Sequence, residues 1–169
     1  MTDVKSGVGR GTPVIRPAEP GDVEMLHQFI VELAETEEFP GPVSAQPQDL
    51  AAALFGPRPT AEALVAVIGG QPAGFALFYL TYSTTLGRPG IHLEDLYVRP
   101  EHRGSGLGRA LLGHLAALAL QRGCGRLEWW VLHTNEQALR FYRRLRARIV
   151  DEVAILRVDS DLLRDLAAG

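Results

Sequence analysis

The amino-acid sequence predicts a mixed α/β (α+β) fold, a central sheet with helices on both faces. Three stretches carry that prediction: a helical apolar spacing from Val23 to Leu33, a hairpin pattern from Glu62 to Tyr82, and a strand, glycine loop and helix from Ile91 to Arg122. The chain has 169 residues, 46% of them hydrophobic, which suits one well-buried core. A single domain over residues 13–169 is expected, after a loose Gly-rich tail at 1–12.

Val14-Ile15-Arg16 reads as a short strand, and Pro20-Gly21-Asp22 leads into the segment with apolar residues at Val23, Leu26, Phe29, Ile30 and Leu33. That spacing is helical. A loop with Pro40, Pro42 and Pro47 precedes a second helix, Asp49 to Phe55, ended by Gly56-Pro57. Glu62 to Ile68 and Pro72 to Tyr82 are apolar runs joined through Gly69-Gly70, the mark of a hairpin. Ile91 to Val98 is a further strand, Gly106 to Arg122 a helix, Arg126 to Leu132 a strand and Asn135 to Leu145 a helix. Two last strands are expected at Arg148 to Val150 and Glu152 to Val158. Trp129 and Trp130 point to opposite faces of their strand, which suggests a central strand covered on each side.

Composition excludes several functions. The formal net charge of −3 gives no general positive field for nucleic acid. The longest apolar run, Ala110 to Leu120, is interrupted by Gly113 and His114 and is too short to span a bilayer. No hydrophobic segment adjoins the N-terminal charges, so a cytoplasmic protein with no membrane partner is expected. Cys124 is the only cysteine, which excludes an internal disulfide and a multi-cysteine metal site; its neighbours Arg122-Gly123 and Gly125-Arg126 suggest a helix-ending turn.

The stretch Val98 to Leu115, VRPEHRGSGLGRALLGHL, is the segment most suited to hold a ligand. Glycines at 104, 106 and 108 remove side chains that would keep a pyrophosphate from the N–H groups of a helix start, and Arg103 and Arg109 add charge. A phosphate loop of the Walker type would end in Gly-Lys-Ser/Thr, and the dinucleotide fingerprint would need glycine at position 109. Neither fits. Read as Arg103-x-x-Gly106-x-Gly108, the loop resembles the acetyl-CoA pyrophosphate loop of the GCN5-related N-acetyltransferases (GNAT). Upstream, IHLEDLYVRPEHRG is similar to the family's fourth strand; downstream, Asn135 and the helix ALRFYRRL are similar to its Asn and its Tyr-bearing helix. Within the superfamily, VIRPA, FALFYLTYSTTLGRPGIHLEDLYV and Gly123-Cys124 resemble the diamine (spermidine/spermine) and thialysine acetyltransferase group.

The resemblance implies the GNAT fold with a mostly antiparallel sheet, acetyl-CoA as co-substrate, no metal, a homodimer, and direct acetyl transfer to a primary amine of a small molecule. It implies acetyl-CoA contacts from Leu96, Val98, Arg103, Gly104, Ser105, Gly106, Leu107, Gly108, Arg109, Asn135 and Tyr142. Such transfer needs an acceptor for the amine proton, since an alkylamine lies about three pKa units above neutrality, and a donor for the departing thiolate. By resemblance Tyr142 is the donor, Glu94 takes the amine proton through a water, and Asp95 and Glu37 hold the cationic substrate. Each has a plainer reading: Tyr142 as core packing beside Leu139 and Phe141, Glu94 and Asp95 as the acids of an edge-of-sheet salt bridge, Glu37 as part of a solvated acidic face with Glu35 and Glu38. Asn135 suits a helix N-cap equally well, and His92 and His133 are of a type that could relay protons but have no fixed role in the pattern. Adjacent on a strand, Glu94 and Asp95 are expected on opposite faces. Ser83 and Ala154 stand where polyamine enzymes carry an acid and a tryptophan, and Arg146 stands where the family has glycine.

Overall fold

The computed structural model describes residues 11–37 and 41–169. Most of the expected tail, residues 1–10, lies outside them, as does Glu38. The chain divides into two compact units, Met1–Trp130 and Val131–Gly169.

The first unit is built on a five-stranded sheet in the order β1 (Val14–Pro17), β2 (Glu62–Ile68), β3 (Gln71–Ser83), β4 (Arg88–Val98) and β5 (Leu127–Trp129). β1 to β4 pair antiparallel and β5 runs parallel to β4. Gly69 and Gly70 both have positive φ, 58° and 79°, as a two-residue turn matched to strand twist requires. The fold class expected from sequence is therefore observed.

Two helices, α1 (Val23–Thr36) and α2 (Pro47–Phe55), lie on one face. Their Leu26, Phe29, Leu50 and Leu54 form a core with Val65, Phe75, Leu77 and Tyr97 of the sheet. The alternate residues Leu64, Ala66, Ala76 and Phe78 are also buried and point to the opposite side. There α3 (Leu107–Gln121) packs through Leu107, Leu111, Leu112, Leu115 and Ala119. Arg122, past the end of α3, grips Glu62 at the start of β2 through two hydrogen bonds of 2.6 and 2.7 Å.

Register between β3 and β4 slips once. Leu77 faces Asp95 but Phe78 faces Leu93, so Glu94 is an extra residue, a β-bulge. Below the bulge Tyr97 and Asp95 share the face of Phe75 and Leu77; above it His92 shares that same face, opposite Tyr79. Alternation alone would have sent His92 to the other side.

The second unit contains α4 (Glu136–Arg144) and α5 (Ser160–Ala168). The two strands expected at 148–158 are not formed, and Val153 and Leu156 are exposed at 67% and 92%. Their apolar alternation satisfies a strand's side-chain period, but a strand also needs a partner for its backbone, and these residues pair with none among the described residues. β5 is likewise shorter than expected and is a terminal strand of the sheet, not a central one. Trp130 lies beyond its end and is 56% exposed.

Candidate active site

Between β4 and α3 the chain makes a short turn at Pro100–His102 and then the glycine loop. Gly104 and Gly106 have φ of 75° and 91°, and a Cβ at either would meet nothing within 4 Å, so bare backbone faces open space. Gly106 is the N-cap of α3, and its carbonyl accepts from Ala110 N–H at 3.0 Å. The N–H groups of Leu107, Gly108 and Arg109 therefore have no partner within the helix. Arg103 donates from Nε to the Val98 carbonyl at 2.9 Å and lies over the Tyr97 ring, 5.8 Å from its centroid. Ser105 donates from Oγ to the His102 carbonyl at 2.6 Å. Arg103 and Arg109 are both exposed. A helix dipole, unpaired N–H groups and two guanidinium groups fit a pyrophosphate.

β4 pairs with β5 only through Ile91, His92 and Leu93. From Glu94 to Val98 the side of β4 away from β3 has no strand partner among the described residues. Alternate residues of that stretch aim N–H and C=O outward, and Leu96 and Val98, expected to contact the co-substrate, belong to it.

The bulge gathers the predicted acidic residues. Asp95 is partly buried, and desolvation, with help from Glu94 and then Glu37, pushes its carboxyl up to about 7. Asp95 therefore feels the charge of both Glu94, beside it on β4, and Glu37, at the end of α1. Glu94 is half-exposed, stands 3.8 Å from the Nε2 of His92, and lies near enough to Tyr79 to raise the phenol's pKa, which burial raises first. The expectation that Glu94 and Asp95 face opposite ways is thus overturned: the extra residue breaks the alternation, and both carboxylates act on the α1 side of the sheet.

Other members of this face escaped the sequence reading. Tyr79 stacks on His92 with centroids 5.0 Å apart, and Trp130 meets the same ring edge-on at 4.9 Å. Tyr97, deep in the core, donates its hydroxyl to Glu32 at 2.5 Å; burial, then that bond, pushes it up to about 12. Tyr97 could have been found from its place two residues after Asp95, on the same side. Trp130 carried no signal beyond its type.

In the second unit, Asn135 caps α4: its Oδ1 accepts from Ala138 N–H at 3.0 Å. Tyr142 sits in the last turn, partly buried, with Phe141 5.1 Å away. Its carbonyl accepts from Ala147 N–H at 3.1 Å while the Arg143 carbonyl accepts from Arg146 N–H at 2.9 Å. These two bonds make a Schellman ending with Arg146 at φ 62°, the place a glycine normally takes.

The chain matches the Acetyltransferase (GNAT) family over residues 28–146. It belongs to that family. The acetyltransferase is 36% identical over 165 residues to thialysine N-epsilon-acetyltransferase of Bos taurus, covering 91% of this chain and 96% of that protein. It is 41% identical over 123 residues to the protein of the same name in Caenorhabditis elegans, covering 73% of this chain and 75% of that one. Among solved structures it is similar to an integron cassette protein from the mobile metagenome of V. cholerae, with TM-score 0.76, 26% identity and coverage of 93% and 98%. The acetyltransferase is an enzyme whose family uses acetyl-CoA. No helix among its described residues is long and apolar enough to cross a membrane.

Proposed function

We propose that this enzyme moves an acetyl group from acetyl-CoA directly to a primary amine of a short molecule of the thialysine, lysine-like or small diamine type. The acidic face of Glu37, Glu94 and Asp95 is the observation that carries this reading, because it offers an ammonium group several carboxylates on the α1 side of the sheet. The names of the relatives support the same substrate class. We further propose that residues 13–169 act as one acetyltransferase domain, in the cytoplasm and as a homodimer; the family match, which runs from 28 to 146 through both units, supports the first part.

The loop of Arg103, Gly104, Ser105, Gly106, Leu107, Gly108 and Arg109 would hold the pyrophosphate, and Leu96 and Val98 would offer backbone groups to the amide-bearing arm. Acetyl-CoA, when bound, supplies an activated acetyl group as a thioester. Asp95 and Glu37 hold the substrate ammonium, and Glu94 receives its proton. The neutral amine nitrogen would then form the bond to the acetyl carbon as the carbon–sulfur bond breaks, and Tyr142 would give its proton to the departing thiolate. The second proton, shed by the nitrogen as it becomes an amide, would return through solvent to the Tyr142 phenolate. No side chain need be acetylated on the way, since neither Cys124 nor a serine is assigned the role of nucleophile.

Asn135 already has a cap to make, which supports a structural share in its role. Release of free thiol from acetyl-CoA, followed over amino acids, thialysine, diamines, polyamines and aminoglycosides, tests the reading. Amine-dependent release with a short acceptor supports it, and release with peptide N-termini alone would replace it with a protein acetyltransferase.

A further inference from the structure

His92 is a buried histidine, only 7% exposed, on a strand whose bulge turns it toward the acidic face. Packing fixes its ring: Tyr79 lies along one face and Trp130 meets it edge-on. Its Nε2 stands 3.8 Å from Oε2 of Glu94, a half-exposed carboxylate that also interacts with Tyr79. That separation exceeds a hydrogen bond, yet a small rotation of the carboxylate or one bridging water closes it.

The chemistry asks for such a neighbour. A carboxylate is a poor resting place for a proton taken from an alkylammonium, because the two differ by about six pKa units. An imidazole is ordinarily about two units more basic than a carboxylate, which narrows the gap.

We propose that His92 is a positioning and relay residue that takes over from Glu94 the proton lost by the substrate amine. This rests on the acetyl-transfer reading above and deepens it. The ammonium gives a proton to the Glu94 carboxylate, leaving a neutral amine; the Glu94 carboxyl then gives that proton to Nε2 of His92, restoring the carboxylate, and the imidazolium releases it to water. No electron changes hands, and the bonds made and broken in acetyl transfer are unaltered. The charged and titratable groups around the ring are Glu94 and Asp95 on its own strand, Tyr79 on β3, Glu128 on β5, which is its register partner and is paired with Arg126, and Glu37 at the end of α1.

The test uses two variants, His92→Phe, which keeps an aromatic ring between Tyr79 and Trp130, and His92→Gln, which keeps a polar head. For each, kcat/KM is measured against pH with a series of primary amines of falling basicity, alongside the acetyl-CoA Kd by calorimetry and the Tm. The relay predicts a loss of tenfold or more for the most basic amines that shrinks as acceptor basicity falls, with one ionisation missing from the acidic limb of the pH profile and acetyl-CoA affinity unchanged. An equal loss for all acceptors with the wild-type pH profile intact would overturn it, whatever the Tm. Absence of amine-dependent turnover in the wild-type enzyme would instead remove the parent reading.

Discussion

At the scale of single residues, Asp95 and Tyr142 make the sharpest claims. Asp95 holds its proton up to about pH 7 in the folded chain against an ordinary value of 3.8, so between those values the folded state binds more protons than the unfolded one. Stability then falls as pH rises through that window, by up to about 4 kcal/mol, and stays lowered above it. Asp95→Asn removes the charge, and its Tm should exceed wild type by a margin that is near zero at pH 4 and largest above pH 7. A margin independent of pH would show that burial and Glu94 do not act on this carboxyl. An added amine cation should shrink the margin, because it restores a partner to the ionised acid. Tyr142→Phe removes one hydroxyl and should lower kcat by about 10²-fold or more if it protonates the thiolate, with acetyl-CoA affinity in calorimetry hardly moved. What sequence could supply at this scale was residue type and kinship: Glu37, Glu94 and Asp95 were marked, but their meeting on one face was not legible. It depends on a one-residue slip between Leu77 and Phe78, which leaves no trace in apolar alternation.

Among the elements, the glycine loop and α4 show both what sequence can specify and where it falls short. The helices α1, α3 and α4 and the hairpin were plain because spacing, caps and Gly69-Gly70 all agree. The C-terminal stretch was not: alternating Val150 to Val158 looks like strand, and only the absence of pairing among the described residues shows otherwise. α5 had a signal, Asp159-Ser160-Asp161 before Leu162, Leu163 and Leu166, that start-and-spacing reasoning could have used. Arg146 occupies a left-handed position that costs an L-residue about 1 kcal/mol or more, so Arg146→Gly should stabilise the protein by about that amount in urea unfolding. Gly106 has the opposite lesson. Gly106→Val should weaken acetyl-CoA binding at least tenfold by capping bare backbone, and at φ 91° it should also lower Tm, a cost that the glycine pattern alone does not disclose. Unchanged acetyl-CoA affinity in calorimetry would take the pyrophosphate away from this loop.

At the scale of the whole molecule, the question is how long a cation the enzyme serves. Ser83 is buried in the β3–β4 turn, where its Oγ lies 3.1 Å from Thr85 Oγ1 and accepts from Leu86 N–H at 3.3 Å, so it builds the turn and offers no charge. Ala154 adds no aromatic face. If Glu37, Glu94 and Asp95 hold the amine as proposed, a polycation gains no charged or aromatic partner from Ser83 or Ala154 for its further ammonium groups, each such contact being worth on the order of 1 kcal/mol. The family and the mixed sheet were legible in the sequence through the loop and its flanks, because pyrophosphate chemistry dictates glycines and a helix start. The acceptor was not, because the grouping of Glu37, Glu94 and Asp95 proposed to hold it is tertiary. Steady-state kcat/KM on one enzyme preparation, with thialysine, lysine, ornithine and a short diamine set against spermidine and spermine, tests this most directly. Acetylation of a short amine is expected, with thiol released in equal amount and kcat/KM above that of either polyamine; spermidine or spermine as the best acceptor would refute the assignment of a short substrate.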